Sequence, residues 1–223
     1  MNYLDIFDDA KIWISYIHLL NRKYYKNDFL EVGAGIGSFT DLYKNKVNNI
    51  FLSEIDKTNL NILTKKYLKN KNITILNKIT SEINLKFNTI VHFNVLEHIK
   101  DDVSEIETCL NMLKKDGHLI LLVPAHNKLY SNLDEAVGHY RRYEKSFFKT
   151  LNISNGKIVK LNYLDTLGYF LYFFNKILFK KEVYPSKFKI FIWDKIITPF
   201  TILIDFILRY RFGKNLLCVI KKI

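Results

Sequence analysis

Three glycines at alternate positions, Gly33, Gly35 and Gly37, follow the apolar run Phe29 to Val32, with the carboxylate of Glu31 just ahead of them. Glycine tolerates positive φ and has no Cβ, so such a loop can turn sharply and let a ligand lie against backbone N–H groups. A dinucleotide fingerprint would place its last glycine three residues after Gly35, where Ser38 stands. The spacing therefore points away from a nicotinamide cofactor. Glu54 closes a second apolar run, Ile50 to Ser53. A carboxylate there can accept hydrogen bonds from both hydroxyls of a ribose, or it can serve the start of the next helix, a part that Asp56 fits better. Farther along stand His126 and His139. Each could take a proton from a hydroxyl acceptor near neutral pH, or be a solvated loop histidine. Arg141 and Arg142 could hold an anion through the planar guanidinium fork, or bridge the loop to Glu144 or Asp134.

The elements that must position these residues alternate. Apolar residues from Ile6 to Tyr24 recur at helical spacing and predict an N-terminal lid or packing helix. Strands are expected at Phe29–Val32, Ile50–Ser53, Ile73–Leu76, Thr89–Phe93, Leu119–Val123, Ile158–Leu161 and Leu216–Ile220, with amphipathic helices between the earlier ones. Lys115-Asp116-Gly117 reads as the turn into the fifth strand. The expected fold is α/β, a doubly wound, mostly parallel seven-stranded sheet with a helical insertion between strands six and seven. One domain is expected, with the N-terminal helix in 1–27, a cofactor-binding core in 28–123, and an acceptor side in 124–223 that carries the insertion at about 162–212. In such a sheet ligands bind outside the carboxyl ends of the strands, where all the residues singled out above fall.

Glu31-Val32-Gly33-Ala34-Gly35-Ile36-Gly37, an acid after the second strand, and Val95-Leu96-Glu97-His98-Ile99 after the fourth together resemble the seven-stranded class I S-adenosylmethionine-dependent methyltransferases, particularly their small-molecule branch. The motifs span roughly residues 28–123. The resemblance implies S-adenosyl-L-methionine as cofactor, with Glu31, Gly33, Gly35 and Gly37 around its methionine part and Glu54 at its ribose. Ala34, Ile55, Asn94 and Val95 complete the implied cofactor-binding set. The acid that usually contacts adenine after strand three is missing, since Asn77-Lys78-Ile79-Thr80 stands there; backbone groups or Thr80 remain open for that part. Base-directed amino methyltransferases carry an Asn/Asp-Pro-Pro-Tyr motif after strand four, whereas Asn94-Val95-Leu96-Glu97 has neither proline nor tyrosine. Val123-Pro124-Ala125-His126 with Gly138-His139-Tyr140-Arg141-Arg142-Tyr143 resembles a subset of bacterial methyltransferases often encoded near glycan-assembly genes. That places His126 and His139 as catalytic candidates and Tyr140, Arg141 and Arg142 on the acceptor. Glu97 and His98 could join a metal site, as a carboxylate and a histidine do in some related O-methyltransferases, but without evident partners no metal is expected.

The formal charge is +12, yet of 34 Lys and Arg residues only five are Arg, and the lysines are scattered. A nucleic-acid binder concentrates such charge in a stripe, so nucleic acid is disfavoured as a partner and an RNA methyltransferase is the main enzymatic alternative. A non-catalytic scaffold on the same fold is a third reading. Cys109 and Cys218 form no metal or disulfide framework. The acidic start, Asp5, Asp8 and Asp9, does not read as a signal peptide, and a cytoplasmic protein is expected, either free or at the inner face of the membrane. Uncharged runs such as that between Asp165 and Lys176 fall well short of the ~20 residues that span a bilayer. The insertion holds two aromatic clusters, Tyr169 to Phe179 and Phe188 to Phe206, flanked by Lys180, Lys181, Lys187, Lys189, Arg209 and Arg211. It reads either as a cap over the acceptor pocket or as a surface that docks peripherally on anionic lipid. The leading expectation is a methyltransferase acting on oxygen or nitrogen of a small-molecule or lipid/glycan-linked acceptor, anionic if the arginines bind it.

Overall fold

Side chains along the central strands are buried on both faces of the sheet and point alternately to two core layers. The computed structural model describes residues 7–178 and 184–223; Asp5, Ile6, Phe179, Lys180 and Lys181 lie outside them. The strands are β1 (Phe29–Val32), β2 (Ile50–Ser53), β3 (Ile73–Leu76), β4 (Phe87–Phe93), β5 (Leu113–Pro124), β6 (Gly156–Leu164) and β7 (Asn215–Lys222). They form one sheet in the order β3-β2-β1-β4-β5-β7-β6. Neighbours from β3 to β5 are parallel, and β7 runs antiparallel to both β5 and β6. The expected seven-stranded, mostly parallel sheet is therefore present, with one reversed strand. On β5, Ile120 and Leu122 pack with one core cluster, while Leu119, Leu121 and Val123 pack with the other. That is the period of two a pleated strand imposes.

Helices cover both faces. On one lie α1 (Lys11–Asn21), α2 (Thr40–Tyr43), α3 (Lys57–Tyr67) and part of the insertion, contributing Trp13, Ile17, Tyr43, Leu63, Ile190 and Trp193. On the other, α4 (Asp102–Met112) and α6 (Lys145–Thr150) contribute Ile106, Leu110 and Phe148. A short helix α5 (Asn132–Ala136) lies between β5 and α6. Between β6 and β7 come α7 (Thr166–Leu178), α8 (Lys187–Ile192) and α9 (Thr198–Ile207), the last two joined by the π turn Trp193–Ile197. Asp56 caps α3 by accepting from the backbone N–H of Asn59 at 2.9 Å, as its position suggests.

Three local expectations change. The expected helix from Ile6 to Tyr24 is interrupted: Phe7 and Asp8 are helical, the helix breaks at Asp9 and Ala10, α1 begins at Lys11, and Arg22–Tyr24 tighten into a 3₁₀ turn. Its opening N–H groups are satisfied from across the molecule, where Asp194 accepts from Trp13 at 2.9 Å and Ile12 at 3.2 Å. Lys115 to Gly117 belong to an irregular start of β5, where Asp116 has φ 61° and the register shifts between the pairs Phe87 with Leu113 and Thr89 with His118. β6 runs well beyond Ile158 to Leu161, because its partly exposed outer positions admit lysine and asparagine that do not register as an apolar run.

Candidate active site

A cavity of about 680 Å³ lies at the carboxyl ends of the central strands. Its first wall is the loop after β1, with Gly33, Ala34 and Gly35. All three loop glycines have positive φ, 62° at Gly33, 58° at Gly35 and 79° at Gly37. A Cβ on Gly33 would fall 2.7 Å from Val95 Cγ2, so the loop and the turn after β4 approach as closely as they do only because that position is bare. Gly37 is off the cavity wall and turns instead against Tyr67.

Glu54 fixes the loop. Its carboxylate is buried and accepts from the N–H of Gly35, Ile55 and Asp56, each at 2.8 Å. Glu54 and Ile55 line the cavity beside the glycines, and Asn94 (φ 55°) and Val95 line it from the end of β4. Glu31 forms part of the floor, where its Oε2 accepts from Thr40 Oγ1 at 2.6 Å and from the Tyr43 hydroxyl. Burial pushes this carboxyl up to about 7, against the pull of those hydrogen bonds. Thr80 is buried away from the cavity wall, bonded to Glu105.

The opposite wall carries Glu97, His98, His139 and Arg142. His139 Nδ1 lies 2.8 Å from Asp134 Oδ1, and Nε2 lies 3.8 Å from Glu97 Oε1. Arg142 grips the same Asp134 with both arms of its fork, Nε to Oδ1 at 2.9 Å and Nη2 to Oδ2 at 3.0 Å, and lies over the Tyr172 ring. Burial opposes ionisation of Asp134, but His139 and Arg142 outweigh it and hold the carboxyl well below the usual range. Glu97 is fully buried, and neither of its oxygens has a hydrogen-bond partner. Burial pushes it up to about 8. Trp13 of α1, Tyr172 of α7, Tyr184 and Trp193 also line the cavity.

The second group of expected residues thus divides. His139 and Arg142 reach the cavity; His126, Tyr140 and Arg141 do not line it. His126 is buried in an aromatic box, stacked on Tyr163 at 4.7 Å and edge-on to Tyr169, with Nδ1 3.2 Å from Glu144. Tyr140 is 55% exposed at the surface. Arg141 donates to Asp102 Oδ2 at 2.7 Å and to the carbonyl of Lys100 at 2.7 Å. Arg142 makes the alternative bridge expected from the sequence, to Asp134, while Arg141 pairs with Asp102, a carboxylate the sequence reading did not single out. Sequence reading placed Trp13 in a lid or packing helix and Tyr172 and Trp193 in a cap or docking insertion without naming them as site residues, and it missed the meeting of Glu97 with His139. The one available signal for the last was Asp134, five residues before His139 and across the turn at Gly138, which has φ 82°.

Residues 8–154 match the family model for a methyltransferase domain. The chain belongs to this methyltransferase family. No curated protein matches it by sequence. Among solved structures it is similar to an S-adenosylmethionine-dependent methyltransferase from Clostridium acetobutylicum (14% identity, 96% of this chain and 92% of that one, TM-score 0.61). It is similar also to the N-methyltransferase NodS from Bradyrhizobium japonicum in complex with S-adenosyl-L-homocysteine (14% identity, 93% and 84%, TM-score 0.59). A third likeness is to the putative methyltransferase in a complex with the Haloferax volcanii Trm112 methyltransferase activator (11% identity, 97% and 92%, TM-score 0.66). The fold is the class I methyltransferase fold, and S-adenosylmethionine is the methyl donor of this class. The residues of the first wall fit such a donor: a carboxylate anchored by three amides, an apolar Ile55 beside it, and a bare glycine turn facing the cavity.

Proposed function

We propose that this methyltransferase transfers a methyl group to oxygen or nitrogen of a small-molecule or lipid/glycan-linked acceptor that enters the cavity on the side of His139. The observation that carries this reading is one partly open cavity that brings together two chemically different sets of side chains. One wall is the glycine loop with Glu54, another is Glu97, His98 and His139, and aromatic side chains from α1 and the insertion complete the lining. A concave pocket of this size suits an acceptor that can enter it beside the donor. On this reading Glu54 and Ile55 hold the ribose, Gly33, Ala34 and Gly35 the methionine part, Asn94 and Val95 the remaining side, and Glu31 braces the floor. Gly37 shapes the loop without touching the donor.

The bound donor supplies a methyl on a sulfonium: a bond from carbon to the acceptor's O or N forms as the C–S bond breaks, and the acceptor's proton must leave. The protein's share is alignment and a place for that proton. Glu97 and His139 stand where it would be lost. With both arginines engaged by Asp134 and Asp102, the acceptor needs no negative charge.

A second observation favours an acceptor held at a membrane. Phe170, Phe173 and Phe174 on α7, Phe188 and Phe191 on α8, and Phe200 and Phe206 on α9 are all exposed, near Lys187, Arg209 and Arg211. Such a surface complements anionic lipid. No helix among the described residues is long and apolar enough to cross a membrane. Methyl transfer from labelled S-adenosylmethionine, assayed against lipid, soluble-metabolite and RNA fractions, tests the reading. Label is expected in the lipid or metabolite fraction, whereas label confined to RNA, or no transfer to any fraction, would overturn it.

A further inference from the structure

Helix α9 is inside out for a helix on the surface of a protein in water. Thr198, Thr201 and Asp205, spaced by three and four, are buried, while Phe200, Leu203 and Ile207, at the same spacing on the opposite side, are 61%, 57% and 64% exposed. A helix packed on a core in water shows the reverse pattern. The inner stripe is satisfied by hydrogen bonds. Asp205 accepts from the backbone N–H of Asp165 at 2.8 Å and of Thr166 at 3.0 Å and from the hydroxyls of Thr166 and Tyr16, and Thr198 donates to the carbonyl of Trp193. Polar contacts thus tie this stripe to the body, and the opposite, apolar stripe faces outward.

The inversion extends to the neighbouring helices. Phe188 and Phe191 on α8 are exposed, as are Phe170, Leu171, Phe173 and Phe174 on α7. A cap over the pocket does not account for the phenylalanines of α8 and α9, because neither helix contributes a residue to the cavity lining. Charge selects the occupant of this surface. Among the described residues of the insertion the acids Asp165, Asp194 and Asp205 are all buried, whereas Lys187, Lys195, Arg209 and Arg211 are exposed. A second copy of the chain would bring the same cations to the contact, with no exposed acid from this segment to pair them. A leaflet with anionic head groups supplies acyl chains for the apolar stripes and acids for the cations. With 13 residues in α7 and 10 in α9, the helices are about 20 and 15 Å long, against roughly 30 Å of hydrocarbon. They fit within one leaflet.

We propose that α7, α8 and α9 embed their outward faces among the acyl chains of an anionic leaflet, deeper than contact with its head groups, and that the acceptor is a lipid of that leaflet. Tyr172 of α7 lines the cavity next in sequence to the exposed Phe173, and Tyr184 both lines it and is half exposed, so the cavity rim adjoins the embedded surface. A lipid head group can then be methylated while its tail stays in the membrane. Its O or N gains the methyl as the donor's C–S bond breaks, and its proton passes to water. The choice of a lipid rests on the cavity being the acceptor site of a methyltransferase; the embedding does not.

Phe200→Trp adds a reporter to two buried tryptophans, Trp13 and Trp193. On vesicles of phosphatidylcholine and phosphatidylserine in equal parts, bromine on the acyl chains should quench the added emission, and aqueous acrylamide should quench it less than in the free protein. Phe200→Ser, Leu203→Ser and Ile207→Ser combined should lower vesicle partition roughly tenfold or more, at low and at high salt, in a protein that still folds and binds S-adenosylmethionine. Partition that high salt abolishes, or bromine that leaves the reporter untouched, would overturn the embedding. A dimer in sedimentation that the serine variant loses, without vesicle partition by the native chain, would give the face to a second copy instead. With a total lipid extract in the vesicles, labelled methyl should enter lipid and should fall in the serine variant. Label confined to soluble metabolites would overturn the lipid acceptor while leaving the methyltransferase reading intact; a native chain that fails to bind S-adenosylmethionine would strike that reading.

Discussion

Arg142 and Asp134 decide what replacement of the arginine will do. Arg142→Lys keeps the charge but loses one arm of a buried two-point grip, leaving part of the Asp134 carboxylate without a donor. Stability should fall by roughly 1–3 kcal/mol, read as a lower urea midpoint. A rise in acceptor KM at unchanged stability would instead mean that the fork is free to hold substrate. Glu31 gives a pH signature. Its carboxyl is raised from 4.5 to about 7 by burial, so the stability it contributes is fully present below about pH 4.5 and is lost as pH rises through 7. At about 1.4 kcal/mol per pKa unit the loss is roughly 3 kcal/mol. Glu31→Gln should not show it, and parallel urea titrations of the two proteins between pH 4.5 and 8 that never diverge would contradict the assignment. At this scale the cofactor side was legible because its parts lie on short loops whose geometry depends on residue type: glycine at positive φ, an acid at a strand end. The acceptor side was not. His126 and His139 look alike in the chain, and only the tertiary packing puts one in an aromatic box and the other on Asp134.

Among the elements, the turn from β1 to α2 is held by contacts with α3. A Cβ on Gly37 would fall 2.5 Å from Tyr67 Oη and 2.8 Å from Cε2, at a φ of 79° that side chains rarely adopt. Gly37→Ala should therefore cost on the order of 1–3 kcal/mol, seen as a lowered Tm, and an unchanged Tm would show that the loop has room the structure denies. Helix α7 shows how one segment serves two surfaces. Tyr169 is buried beside His126 and Tyr172 turns to the cavity, while Phe170, Leu171, Phe173 and Phe174 remain exposed. The sequence showed both alternatives, cap and docking surface, because helical spacing places aromatics on more than one face. Strand existence was legible from apolar runs, but strand extent was not where polar residues continue the ladder, as in β5 and β6. The reversal of β7 left no mark in its composition, because a buried strand reads the same in either direction.

For the whole molecule, the exposed phenylalanines of α7, α8 and α9 make membrane association measurable. The chain should co-sediment with vesicles containing phosphatidylserine at low salt, and raising the ionic strength should weaken the association as the lysines and arginines are screened. No co-sedimentation at low salt would leave these helices as a cap alone. The overall architecture was largely readable because alternating strands and helices admit few arrangements, whereas the tie between the N-terminal helix and the insertion was not, since it rests on Asp194 in the insertion capping α1 from 181 positions away. The central claim is that Glu54 and the glycine loop bind the methyl donor, and calorimetry with S-adenosylmethionine and S-adenosylhomocysteine tests it most directly. The native chain should bind both in the micromolar range and show no affinity for NAD, and Glu54→Ala, still folded, should bind at least tenfold more weakly. A native chain that binds neither, or a folded Glu54→Ala variant that binds as tightly as the native chain, would contradict the account.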